Sequence, residues 1–248
     1  MIPKKIHYCW FGGNPLPKSA KKCIESWKKF CPDYEIVEWN EKNFDYNSCK
    51  YAAQAYAAKK WAFVSDYARF KILYENGGLY FDTDVELIKS PDEVVSCGNF
   101  MGMEKNEESL LSFDIPCGVN PGLGLGAEPN LELYKEILDF YNSLEFINPD
   151  GTFNCKTVVY YTTEILLKHG LKAINDIQYV SGVYIYPEDY FCPLDFETGK
   201  LRITQNTISI HRYTGSWLNK KEKLKRIIRS VIGNKLYMRL YKLKHKKK

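Results

Sequence analysis

Short apolar runs and stretches of three-to-four periodicity alternate along the first third of the chain. Residues 6–10 are apolar and aromatic and run into Phe11-Gly12-Gly13-Asn14-Pro15, the pattern of a buried first strand entering a loop. In residues 19–30 the apolar Cys23, Ile24, Trp27 and Phe30 fall three or four apart, which predicts a helix. Residues 34–39 alternate around Ile36 and Val37 and predict a second strand. Strand, helix and strand in that order imply a βαβ unit, hence an α/β fold on an open, mostly parallel sheet. A further helix is predicted over residues 59–76, with Ala62, Phe63, Ala68, Ile72 and Leu73 inward and a glycine stop at Gly77-Gly78. Residues 79–81 then read as a strand that ends in Asp82-Thr83-Asp84. Later signals are weaker: helices over residues 129–143 and 157–169, and short strands at Val183–Tyr186 and residues 207–211.

The carboxylates at the end of the third strand carry the first chemical signal. Open α/β sheets bind ligands beyond the carboxyl ends of their strands. In an extended segment, residues i and i+2 project to one side about 7 Å apart, so Asp82 and Asp84 are expected to converge. Two such acids invite a divalent cation, and Mn²⁺ or Mg²⁺ keeps positions open for a substrate diphosphate. Asp66 and Arg69 stand at i and i+3 on the preceding helix and are expected to form a positioned pair rather than a loose surface contact.

Charge divides the chain. The 248 residues sum to +5, yet residues 220–248 hold 13 Lys and Arg against one acid, Glu222, so residues 1–219 carry −7. In the tail, Leu224, Ile227, Ile228, Val231 and Ile232 fall at helical spacing; after Gly233-Asn234, Leu236, Tyr237, Leu240 and Tyr241 resume it. Lys225, Arg226, Arg229, Lys235, Arg239 and Lys242 lie between them. This predicts a basic amphipathic helix pair that docks on an anionic membrane surface, with packing against the body as the alternative. A nucleic acid partner is not expected, since the body is acidic and lacks an interleaved aromatic and basic motif. The expected division is a catalytic domain over residues 1–219 and a membrane-associating tail over residues 220–248.

The first ten residues lack the apolar stretch and cleavage site of a secretory signal, and no run of about 18 apolar residues occurs. Eight scattered cysteines form no C-x-x-C pair, which argues against a zinc knuckle. A cytoplasmic protein, peripheral on the inner face of the cell membrane, is the expectation.

Several words of the sequence together resemble a known family. They are Ile6-His7-Tyr8-Cys9-Trp10-Phe11-Gly12-Gly13, Ser65-Asp66-x-x-Arg69, Gly77-Gly78-x-Tyr80-x-Asp82-x-Asp84 and, far downstream, His211 with Ser216-Trp217. The chain resembles glycosyltransferase family 32, the family with a sugar-binding region containing a DXD motif, and its capsular-polysaccharide members. It is more distantly similar to the glucosylating domain of large bacterial toxins. The resemblance implies a GT-A fold, a nucleotide-diphosphate-sugar donor, with a UDP-sugar favoured, and Mn²⁺ or Mg²⁺ beneath the diphosphate. It also implies transfer of a hexose or N-acetylhexosamine, with retention of configuration, to a glycan acceptor. A lipid-linked acceptor would suit the basic tail.

Carried onto this chain, the resemblance gives Trp10 the role of stacking on the nucleobase, within a nucleotide-sugar-binding set of Tyr8, Trp10, Phe11, Gly12, Tyr80 and Thr83. Asp66 and Arg69 match the pair that contacts the donor sugar. Asp84 matches the direct metal ligand, Asp82 the acid that reaches the ribose and the metal, and His211 a third metal ligand. Ser216 and Trp217 resemble the loop that closes over the diphosphate, with the indole N–H toward the leaving phosphate. Asp66, Arg69, Asp82, Asp84 and Trp217 form the implied catalytic set, with no side-chain nucleophile or general base among them.

Competing motifs are weaker. Phe81-Asp82-Thr83-Asp84-Val85 fits the nucleophile word of haloacid-dehalogenase-type phosphatases, but no later G-D-x-x-x-D cluster follows. Residues 121–127 satisfy G-x-G-x-x-[GA], yet prolines break the segment before them, so a loop on the acceptor side is expected instead of a dinucleotide fingerprint. His7 and His169 are expected to be structural or surface residues. A non-catalytic sugar-nucleotide or glycan-binding protein of the same fold is the rival reading.

Overall fold

A computed structural model describes residues 1–105, 117–196 and 198–214. The chain opens with strand β1 (Lys5–Cys9), helix α1 (Lys18–Phe30) and strand β2 (Glu35–Trp39). Helix α1 buries Ala20, Cys23, Ile24 and Trp27, the stripe that three-to-four spacing dictates, and turns its lysines outward. β1 and β2 pair in parallel from Lys5↔Glu35 to Cys9↔Trp39, as a βαβ unit requires.

Two helices follow where the sequence predicts one. Helix α2 (Lys50–Ala57) precedes α3 (Trp61–Asn76), and the break at residues 58–60 includes Lys59 at φ 56°. The Ala- and Tyr-rich residues 50–57 carry few aliphatic side chains, so their periodicity is faint, although Tyr51, Ala52 and Ala55 are buried. Helix α3 is apolar on most sides because it is covered on both, by the sheet and by neighbouring helices. It ends at Gly77, where φ is 63° and an added Cβ would lie 2.8 Å from both Pro3 and Pro129; only glycine fits.

Strand β3 (Gly78–Tyr80) runs parallel to β1, with Ile6↔Leu79 and His7↔Tyr80 in register. Next come β4 (Val85–Leu87), α4 (Asp92–Cys97), β5 (Phe100–Lys105), β6 (Cys117–Val119) and β7 (Leu125–Ala127). Helices α5 (Glu132–Asn142) and α6 (Val158–Lys168), strands β8 (Gln178–Val180) and β9 (Val183–Tyr186), helix α7 (Glu188–Phe191) and strand β10 (Ser209–His211) complete the described part. Thr157 caps α6 by accepting from Tyr160 N, so the predicted helix begins one residue early.

The eight-stranded sheet has the order β2-β1-β3-β7-β5-β9-β8, with β6 on β5. The pairings set β1, β2, β3, β5 and β9 in one direction and β6, β7 and β8 in the other, so the sheet is mostly parallel with antiparallel insertions, the open α/β arrangement expected from the sequence. One apolar core lies with α2, α3, α5 and α6, and a second with α1, β4 and α7. Among the described residues, no helix is long and apolar enough to cross a membrane.

Residues 121–127 correct part of an expectation. Residues 121–124 do turn outside any strand, but Leu125–Ala127 forms β7, inserted antiparallel between β3 and β5 in the middle of the sheet. Gly126 hid the strand because it supplies no apolar alternation. It is needed there, since a Cβ on it would lie 2.1 Å from the Phe100 ring.

His7 shows how a buried polar group is accommodated at the centre of this sheet. Trp39 Nε1–H donates to its Nδ1 at 3.0 Å, which leaves the proton on Nε2 to donate to Gly77 O at 3.0 Å. Burial favours this neutral form and pushes the imidazole pKa down to about 4. Between pH 6.5 and 4 the unfolded chain takes up a proton that the folded chain refuses. Stability therefore falls with falling pH through that window, by about 3 kcal/mol in all. His7→Gln should lower stability at pH 7 yet remove this share of the acid sensitivity. Urea unfolding at pH 7 and pH 4.5 checks it, and equal losses in variant and wild type would exclude His7 as the source.

Candidate active site

The chemistry gathers where β3 ends. Asp82, Thr83 and Asp84 do not continue the strand as the i, i+2 argument expects; they form a turn closed by Val85 N donating to Asp82 O at 3.0 Å. The turn still brings the two carboxylates together, and strand β10 adds the third group. β10 pairs antiparallel with β4, and its register places His211 opposite Val85, beside Asp84. One ligand atom from each of Asp82, Asp84 and His211 lies within 4.8 Å of the others.

The two aspartates sit in different environments. Asp84 Oδ1 faces His211 Nε2 at 3.1 Å, while Oδ2 accepts from Thr214 N at 2.9 Å and Thr214 Oγ1 at 3.2 Å. Burial opposes its charge, but His211 and Thr214 outweigh burial and hold its pKa at about 2. Asp82 Oδ1 accepts from Tyr80 OH at 3.0 Å and faces Arg69 Nη2 at 3.3 Å. Its pKa is raised, by burial first and also by Asp84, against the pull of Arg69. His211 is likewise raised: burial disfavours its charge, but Asp84, Asp82 and Glu104 favour it more strongly.

Arg69 is the buried cation of the site. Its Nη2 lies 3.0 Å from Asp66 Oδ1, its Nε donates to Ser65 O at 3.1 Å, and its guanidinium carbon stands 5.1 Å from the Tyr80 ring centroid. The pair expected on one face of α3 is therefore present, buried and extended to Asp82. Burial, only partly offset by Arg69, pushes Asp66 up to about 7. Helix α3 and strand β3 thus lock Asp66, Arg69, Tyr80 and Asp82 into one network.

The floor of the site comes from residues that the sequence does not mark as part of it. Asp82 N donates to Gly122 O at 3.1 Å, and a Cβ on Gly122 would come within 2.2 Å of Asp82 Oδ2. Gly122 N donates to Asn120 Oδ1 at 2.7 Å, and Asn120 Nδ2 donates to Glu104 Oε2 at 2.8 Å. Tyr213 OH donates to the same Glu104 oxygen at 3.2 Å, and its ring lies 4.1 Å from that of His211. Asn120-Pro121-Gly122 is recognisable as a turn word, whereas Glu104 has no local signal.

The residues after β1 divide between core and cavity. Tyr8 is buried against Trp27 at 5.7 Å between centroids and donates to Glu38 at 2.7 Å. Phe11 packs edge-on against Phe44 in the other core. Trp10 is half-buried and donates through Nε1 to Asn14 O at 2.5 Å. Gly12 N donates to Glu41 Oε1 at 2.5 Å, and a Cβ there would meet the Trp61 indole at 2.6 Å. Gly12, Gly13, Asn14, Glu41, Tyr56, Lys59 and Trp61 line an open cavity of about 650 Å³. Thr83 is half-buried in the turn. Ser216, Trp217 and the tail lie outside the described residues.

Two carboxylates and one imidazole are a suitable donor set for Mn²⁺ or a similar divalent ion. One detail of the structure agrees: His211 Nδ1 is buried and has no hydrogen-bond partner, while Nε2 is already turned to Asp84. Asp82, Asp84 and His211 are therefore the residues that fit a cation.

Comparison with known proteins agrees with this chemistry. The chain is 29% identical over 120 residues to the initiation-specific alpha-1,6-mannosyltransferase of Candida albicans, covering 44% of this chain and 31% of that protein. It thus spans about a third of that relative's length. It is 25% identical over 205 residues to an uncharacterized glycosyltransferase of Acanthamoeba polyphaga mimivirus, covering 78% of each. Among solved structures it is similar to PaToxG glycosyltransferase, with a TM-score of 0.48, 20% identity and coverage of 67% of this chain and 69% of that one. Residues 17–101, from the start of α1 through the Asp82–Asp84 turn to β5, match the family described as the glycosyltransferase sugar-binding region containing a DXD motif.

Proposed function

We propose that the chain is a metal-dependent, retaining glycosyltransferase. It moves a hexose or N-acetylhexosamine from a nucleotide-diphosphate sugar to a lipid-linked glycan in capsular or other surface polysaccharide synthesis. The observation that carries the reading is the approach of Asp82, Asp84 and His211 to within 4.8 Å beside a buried arginine.

In this reading Asp82, Asp84 and His211 hold the cation, and Arg69 and Asp66 address the donor sugar next to it. When bound, Mn²⁺ or Mg²⁺ supplies positive charge against the diphosphate as the bond to the anomeric carbon breaks. The cavity behind Gly12 takes the nucleoside, with Tyr56 and Trp61 as its aromatic surfaces and Trp10, which donates to Asn14 O on its rim, beside them. Trp217, with Ser216, closes over the diphosphate and offers its indole N–H. Retention follows from front-face displacement: the acceptor oxygen bonds the anomeric carbon as the carbon–phosphate oxygen bond breaks, and the departing phosphate oxygen takes the acceptor proton. No carboxylate need then act as nucleophile, which leaves Asp82 and Asp84 to the cation.

A UDP-sugar is the favoured donor. One relative is a mannosyltransferase by name, so a nucleotide-diphosphate mannose belongs beside the UDP-sugars in any screen. Assayed for Mn²⁺-dependent donor hydrolysis, wild type should turn over one member of such a panel. Asp84→Ala should lose at least about a hundredfold in kcat, the scale of removing one charge-stabilising element. Full activity in the variant would overturn the metal assignment, and donor binding without turnover by wild type would favour the non-catalytic reading.

Residues 220–248 act in this proposal as a membrane-associating tail on a catalytic domain of residues 1–219, at the inner face of the cell membrane. Their 13 basic residues can each gain about 1 kcal/mol near an anionic leaflet. A chain ending at Asn219 should keep donor hydrolysis but no longer float with phosphatidylserine-containing vesicles. Unchanged flotation would exclude the tail as the anchor.

A further inference from the structure

Outside the acidic turn and the α3 pair, one ionisable group stands in the site without a role: Glu104, on β5. It is half-buried, and burial raises its pKa. A carboxylate in such a place is costly unless its oxygens are used. Its Oε2 is used twice, by donors that come from opposite directions in the chain. Asn120 Nδ2 reaches it at 2.8 Å from the turn before β7, and Tyr213 OH at 3.2 Å from the segment after β10.

Each donor leads to one side of the cation cluster. With its amide nitrogen committed to Glu104, Asn120 must present Oδ1 to Gly122 N, at 2.7 Å. Gly122 in turn accepts from Asp82 N and leaves no room for a side chain beside Asp82 Oδ2. On the other side, Tyr213 carries its ring to 4.1 Å from that of His211, whose Nε2 faces Asp84. Tyr213 OH also meets Cys192 Sγ at 2.9 Å, so the ring is held at both Glu104 and α7's C-terminal end. No backbone hydrogen bond ties the Asn120 turn to residues 211–214 in the described structure; Glu104 is where the two limbs meet.

We propose that Glu104 is a positioning residue that fixes the spacing between Asp82 and His211, and thereby the affinity of the Asp82/Asp84/His211 cluster for a divalent cation. The inference rests on the metal reading above. It differs from the usual outer-sphere partner in that Glu104 touches none of the three residues through a hydrogen bond and acts on both limbs through Asn120 and Tyr213.

The test uses the full chain and Mn²⁺ alone, followed by loss of the free Mn²⁺ electron paramagnetic resonance signal, with near-UV circular dichroism and the thermal midpoint as checks of folding. Glu104→Ala should weaken Mn²⁺ binding about tenfold or more, the scale for losing a group that orients metal ligands. Glu104→Gln, whose amide oxygen can accept both hydrogen bonds, should stay within about threefold of wild type. Tyr213→Phe, which frees only the His211 limb, should fall between them; it also serves if Glu104→Ala does not fold. Wild-type affinity in folded Glu104→Ala, or in Tyr213→Phe where the alanine variant does not fold, would overturn the positioning role. So would equal loss in Gln and Ala, which would mean that charge and not position matters. If wild type itself binds no Mn²⁺, the metal reading fails and this inference with it; tight wild-type binding that Glu104→Ala leaves unchanged removes this inference alone.

Discussion

Everything in the site depends on how the guanidinium of Arg69 is compensated. Arg69 is 3% exposed, and an unpaired charge at that depth would cost several kcal/mol. Asp66 answers it from one turn earlier on the same helix, and Asp82 from the end of the adjacent strand. Because Asp66 shares α3 with Arg69, that half of the arrangement is local. Asp82 is not local, and its approach fixes where the acidic turn stands relative to α3. Tyr80 tightens the link by donating to Asp82 while its ring faces the guanidinium. The turn is consequently held before any ligand arrives.

The other acid of the turn is fixed by a different element. Asp84 has no contact with Arg69 among its hydrogen bonds; it is held by His211 and Thr214, which lie about 127 residues away along the chain. The β4–β10 ribbon closes that distance, and Arg212 reinforces it by pairing with Glu86 at 2.6 Å. Two neighbouring aspartates therefore acquire unlike properties from unlike partners. Asp84 remains ionised to about pH 2. Asp82 is easier to protonate because burial disfavours its charge and Asp84 faces it, which Arg69 offsets only in part.

What the sequence makes legible follows the range of the interactions. The i, i+3 spacing of Asp66 and Arg69 is a local fact, and the helix delivers it. The first βαβ unit is equally local: α1 buries the stripe that its spacing defines, and β1 is buried almost throughout while β2 stays partly exposed at the sheet edge. The convergence of Asp82 and Asp84 is readable too, but through a turn and not by strand alternation. Strand β7 is not readable, and the Asn120–Gly122 word announces a turn but not its place in the site, because the fitness of both lies in what glycine leaves vacant for Phe100 and Asp82. Glu104 escapes notice for a related reason: nothing around it in sequence names Asn120 or Tyr213 as partners. The resemblance to the family reached His211 where spacing alone could not.

Net charge is the coarsest feature of the chain, and the site shows why it says little about ligand choice. Residues 1–219 carry −7, which in a uniform field would repel a nucleotide diphosphate. At physiological ionic strength, however, exposed charges are screened over about 8 Å. The cluster that matters is far tighter, with ligand atoms within 4.8 Å and side chains largely shielded from water, so its own balance prevails over the distant surface. Four carboxylates, Asp66, Asp82, Asp84 and Glu104, surround the Arg69 guanidinium and the His211 imidazole, and the imbalance is local and negative. Such a pocket suits a divalent cation, which His211 would ligate in its neutral form, and the ion's two charges together with Arg69 would offset most of the acids around it. An acidic protein would in this way still present concentrated positive charge to an anionic donor.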